Sequence, residues 1–149
     1  MNLETPLGYL LCRARRAYKN KLMMRYKENN IELSLDQFII LHQVGLNEEV
    51  TQQELADYLQ KDKSIVLRQI SALIDKEYVI RFYDKKDKRK KNLLITSEGY
   101  KVLEISREVA KSVSGELLSG VRPQELHVFE VVMNKIQKNG GFEVGVCCK

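Results

Sequence analysis

The sequence predicts a mainly helical chain of α+β type: a winged helix-turn-helix with a two-stranded β-wing, flanked by N- and C-terminal dimerisation helices. Three observations predict it. Two helix-start signals, Ser34-Leu35-Asp36-Gln37 and Thr51-Gln52-Gln53-Glu54, follow in quick succession, each opening a short apolar helix. A third amphipathic segment begins after the brief connection Gln60-Lys61-Asp62, the spacing of a helix-turn-helix. Two strand-like runs then flank Asp84–Lys91, where six bases and two acids place +4 of the chain's net +5.

The elements follow in order. Leu7, Leu11, Ala14, Tyr18, Leu22 and Tyr26 recur at steps of three and four, an amphipathic helix with Pro6 in its first turn and Asn29-Asn30 at its end. Phe38, Leu41 and Val44 face inward on the second helix, and Leu55, Ala56 and Leu59 on the third. Asp62 caps a helix from Lys63 to Lys76 with Val66, Ile70, Leu73 and Ile74 inward. Tyr78–Tyr83 and Asn92–Thr96 read as the strands of the wing. Thr96-Ser97-Glu98-Gly99 opens a long helix with the stripe Tyr100, Val102, Ile105, Val109, Val113 and Leu117. Pro123 starts the last helix, with Leu126, Phe129, Met133 and Ile136 on one side and Gly140-Gly141 at its stop.

The 149 residues, 44% hydrophobic, read as a single chain. The expected division is a winged helix-turn-helix lobe over residues 31–96, dimerisation helices over 1–30 with 97–140, and a tail over 141–149. Apolar stripes on the terminal helices need cover, and a two-fold homodimer would match a pseudo-palindromic site. No apolar run is long enough to span a membrane, and no secretory signal is expected. Three cysteines, with Cys147 and Cys148 adjacent, do not suggest a disulfide framework, so a cytoplasmic location is expected. No spaced Cys/His quartet points to a metal, no cofactor motif is present, and no catalytic constellation stands out. An enzyme is not expected.

Charge patterning points to double-stranded DNA, because cations that neutralise phosphates release condensed counterions. Lys63, Ser64, Leu67, Arg68 and Ser71 form the outward face of the helix that would enter the major groove. Arg68 is the candidate for bidentate reading of guanine. Ser34, Thr51 and Gln52, at helix N-termini, are placed to hold phosphates, beside the capping role of the two hydroxyls. At the wing, Arg89 would enter a minor groove, while Lys86, Lys88, Lys90 and Lys91 would pair with phosphates. The blander alternative is a solvated hairpin whose lysines discourage edge pairing.

Asp87-Lys88-Arg89-Lys90-Lys91-Asn92-Leu93-Leu94-Ile95-Thr96-Ser97-Glu98-Gly99 resembles the wing signature of the MarR family of bacterial winged-helix regulators. Ser64–Arg68, Leu73 and Tyr78–Arg81 are similar to that family's recognition helix and its exit. Lys88 replaces an Arg, Ile65 and Leu67 stand where the family usually has Thr or Ser, and Glu77 stands where Gly commonly ends the helix. Glu77 must therefore take φ > 0 or a different cap.

The resemblance implies a transcriptional regulator, repression being the expected mode, tuned by a small aromatic or phenolic effector. Tyr9, Tyr18, Phe38 and His42 are the candidates to line its cleft, beside a role as ordinary core. A peroxide-sensing branch of the family carries a cysteine in the first helix, which makes Cys12 a redox candidate. Its sequence context differs from that branch, and a buried, inert Cys12 is the expectation. The alternatives are redox control through Cys12 and a winged-helix protein-interaction module.

Overall fold

The structure is a computed structural model that describes residues 5–47, 50–84, 87 and 91–141. Its elements are α1 (Leu7–Glu28), α2 (Leu35–Leu46), β1 (Val50–Thr51), α3 (Gln52–Leu59), α4 (Lys63–Asp75), β2 (Val79–Tyr83), β3 (Lys91–Ile95), α5 (Ser97–Leu117) and α6 (Pro123–Asn139). They fall into two compact units, Met1–Ser114 and Gly115–Lys149.

Local chemistry explains most boundaries of the first unit. Both capping boxes form: Ser34 and Thr51 accept from the N–H groups of Gln37 and Glu54, whose side chains return to the cap N–H. Asp62 occupies the N-cap of α4 without a side-chain cap bond. At the end of α1, Asn30 takes φ 56° while Ile31 N donates to Tyr26 O at 2.8 Å. Asparagine tolerates this left-handed cap. Gln60 makes the helix-turn-helix corner at φ 47°.

The two-stranded wing forms as β2 and β3, and β1 adds a third strand to its sheet. Among the described residues that sheet has three antiparallel strands in the order β1-β3-β2. Val79 pairs with Ile95 and Tyr83 with Lys91 along the wing, while Val50 and Thr51 pair with Leu93 and Asn92. β1 is two residues long, too short to show a period of two in sequence, and it forms because β3 offers a free edge.

Under the sheet, Val66, Ile70 and Leu73 of α4 pack with Leu41, Leu55, Val79 and Leu93, all nearly solvent-free. Leu22 and Tyr26 of α1 join the same core, as do Leu103 and Val113 of α5. The stripe expected on α5 holds in part: Val113 is buried and Val102 and Val109 pack against the core. The buried positions of α5 are Gly99, Leu103, Ser106, Ala110 and Val113, while Tyr100 and Ile105 are exposed. Small residues let α5 approach its neighbours closely, and a reading weighted by side-chain size passes over them.

Glu77 takes φ 60°, and Glu77 N and Tyr78 N donate to Ile74 O and Leu73 O at 2.8 and 3.0 Å. This is the six-to-one and five-to-two pattern that closes a helix around a left-handed residue. Thr96 Oγ1 donates to Glu77 O at 2.7 Å and accepts from Gly99 N at 2.9 Å. Gly99 is required by proximity: a Cβ there would lie 2.1 Å from Tyr78 O.

In the second unit, Pro123 occupies the first turn of α6. Arg122 N and Nη2 donate to Glu125 at 2.9 and 2.7 Å, and these bonds hold the Glu125 carboxyl below its ordinary range. No residue of α6 is buried; Val128, Phe129 and Val132 are exposed.

Gly99→Ala should destabilise the protein by about 3 kcal/mol, because the atom met is backbone and cannot swing away. Urea denaturation should show a lower midpoint at unchanged slope. A wild-type midpoint would mean that α5 does not approach Tyr78 this closely.

Candidate nucleic-acid interface

The N-terminus of α3, one side of α4 and the sheet enclose a concave bay of about 630 Å³. Its walls bring together the sequence-predicted Thr51, Gln52, Lys63, Leu67, Ser71 and Lys91, with Gln53, Glu54 and Arg81. Ser64 and Arg68 lie outside the bay and are exposed on α4. Ser34 also lies outside it, at the start of α2. Lys86, Lys88, Arg89 and Lys90 lie outside the described residues, as do Cys147 and Cys148.

Arg81 was not anticipated as a site residue. It shares a strand face with Val79, which is buried, and pairs with Leu93. That alternation turns its side chain toward α3. Gln52 is only 8% exposed. With its amide oxygen facing the guanidinium, it accepts from Arg81 Nε at 2.6 Å and Nη2 at 2.9 Å. The period of two along the strand read at Tyr78–Tyr83 would have placed Arg81 on the same side as Val79. Glu54, by contrast, is engaged by its cap: its carboxylate accepts from Thr51 N at 2.7 Å and Thr51 Oγ1 at 2.8 Å.

Residues 33–91, which contain every wall of the bay, match the sequence model of the MarR family. The fold of the longer chain is also shared. The transcriptional regulator SlyA superposes with a TM-score of 0.82 at 21% identity, covering 91% of this chain and 94% of that one. A mutant MarR from E. coli complexed with operator DNA gives 0.80 at 22%, covering 88% and 93%. The S. aureus MepR–DNA complex gives 0.80 at 21%, covering 91% and 99%.

All four cleft candidates lie along α1 and α2. Tyr26 and Phe38 meet edge-on with ring centroids 6.0 Å apart, and Phe38 meets His42 at 6.1 Å. Phe38 and Tyr18 pack against the core, and burial raises the Tyr18 hydroxyl above its usual range. Tyr9 stands apart, 57% exposed, with the Arg13 guanidinium 5.6 Å from its ring centre. Cys12 is exposed, contrary to the expected burial. It lies on an early turn of α1, where Leu11 is half-buried and the core contacts begin further along the helix. Among the described residues, no helix is long and apolar enough to cross a membrane.

His42 is held below its ordinary pKa of 6.5 by burial, then by the Arg107 charge. The unfolded chain therefore takes up a proton that the native chain refuses in the window below about pH 6.5. Stability should fall as pH drops through that window and return above it. His42→Gln should flatten this slope in urea midpoints measured between about pH 7.5 and 5.5. Equal slopes in both proteins would remove His42 as the cause.

Proposed function

We propose that the chain is a DNA-binding transcriptional regulator, a repressor acting as a homodimer on a pseudo-palindromic duplex. The carrying observation is the two-sidedness of α4. Val66, Ile70 and Leu73 anchor it to the core while Ser64, Arg68 and Ser71 remain exposed along the other side. A helix seated by one face and free on the other suits the major groove, where side chains distinguish all four base pairs. The basic tip between β2 and β3 then serves the adjacent minor groove, with Arg89 as its reader. The fold shared with the DNA-bound E. coli MarR mutant and S. aureus MepR supports this reading. Exposed Val128, Phe129 and Val132 on α6, and Leu7 and Leu10 on α1, support a partner copy that covers them.

A small aromatic or phenolic effector is proposed to act beside Tyr18, Phe38 and His42, biasing the spacing of the two recognition helices. Redox control is a second reading, favoured by the exposure of Cys12. Mild peroxide treatment should then release DNA from the wild type and leave Cys12→Ser bound. Release from both proteins, or from neither, would dismiss it.

Arg68→Ala should cost about 1–3 kcal/mol on the cognate duplex and little on scrambled DNA. Fluorescence anisotropy with the duplex upstream of the protein's own gene, against a scrambled control, measures both. Arg89→Ala should also weaken binding. Equal losses on both duplexes for Arg68→Ala would remove it as a reader of sequence.

A further inference from the structure

We infer that Gln52 and Arg81 form a built phosphate clamp: Gln52 fixes the Arg81 guanidinium so that it grips a phosphodiester of the DNA backbone in the bay. The inference rests on the DNA-binding reading above. A nine-tenths-buried amide is costly unless its oxygen is paired. Gln52 meets that demand with Arg81, whose Nε and Nη2 donate to it at 2.6 and 2.9 Å. Guanidinium carries five N–H donors, so three remain for a ligand while the planar group is already oriented.

The surroundings select an anion. Lys63 and Lys91 share the bay with Arg81, three cations against the Glu54 carboxylate among the described residues, and that carboxylate accepts from Thr51. Among the described residues no aromatic side chain lines the bay, and they offer no stacking surface for a base or a planar effector. Arg81, itself exposed on β2, lines the bay, whereas the exposed Ser64 and Arg68 lie outside it. Its contact therefore adds affinity without reading sequence, as phosphate contacts do.

A random-sequence duplex of about 30 base pairs is the probe, because a phosphate clamp is indifferent to sequence. Binding is measured from about 50 to 200 mM salt for wild type, Arg81→Ala, Arg81→Lys and Gln52→Ala, with thermal midpoints recorded for each. Arg81→Ala should weaken binding and reduce the slope of log K against log salt by about one. Arg81→Lys keeps the charge but loses the two-point hold, so it should retain the slope and bind several-fold more weakly. Gln52→Ala should behave like Arg81→Lys.

A folded Arg81→Ala with the wild-type slope would overturn the clamp. Should that variant not fold, wild-type affinity in folded Arg81→Lys and Gln52→Ala would overturn it equally. Competition by inorganic phosphate, beyond that of chloride at matched ionic strength, would replace the DNA backbone with a free anion as the ligand and so also overturn it. A wild type that binds no duplex at all would instead overturn the DNA-binding reading itself, and the clamp with it.

Discussion

The architecture turns on the junction at Thr96. Its hydroxyl donates to Glu77 O and accepts from Gly99 N, while its own N–H donates to Tyr78 O at 3.0 Å. One residue thus joins the exit of α4, the end of β3 and the first turn of α5. The left-handed Glu77 costs about 1 kcal/mol or more without glycine's freedom, and the bond to its carbonyl helps offset this. The close approach of Gly99 to Tyr78 leaves little room for rotation. Core packing seats α4; this junction fixes its direction relative to the wing and the long helix.

What was legible in the sequence was what neighbouring residues decide. Ser34/Gln37 and Thr51/Glu54 each lie three apart, and both boxes formed. The absence of Gly at residue 77 implied either φ > 0 or another cap, and the chain adopts φ 60°. The inward positions of α4 followed from period alone. Contacts set by distant partners were not legible. β1 exists only because Leu93 and Asn92 present an edge to it, and Gln52 read as a helix-start residue because Arg81 is far away in sequence. The wing tip, the strongest charge signal in the chain, falls largely outside the described residues.

The exposure of Tyr100 and Ile105, two members of the stripe expected on α5, has a physical cause with a consequence. Gly99, Ser106 and Ala110 are buried because the helix must lie close to its neighbours; Tyr26 OH reaches Ser106 O at 3.4 Å. The larger Tyr100 and Ile105 remain 47% and 53% exposed. Hydrophobicity alone favours the bulky stripe, whereas packing favours the small one, since burial depends on how closely backbones must approach. α5 therefore retains apolar surface that its own core does not use.

The second half of the helix-turn-helix is moored at both ends to the entry of α2. Lys61, just before α4, bonds Asp36 at 2.5 Å, and Lys76, its C-cap, donates to the Glu32 carbonyl. Neither pair is deeply buried, and partly exposed ion pairs contribute about 0–1 kcal/mol each. Each of the buried Val66, Ile70 and Leu73 contributes about 1.5–3 kcal/mol. The core therefore decides that α4 is held, and the lysine moorings decide its register against α2. The Tyr26–Phe38 contact ties that same α2 to α1. A change in α2 therefore reaches α4 through the core contact of Leu41 as well as through these weaker lysine attachments.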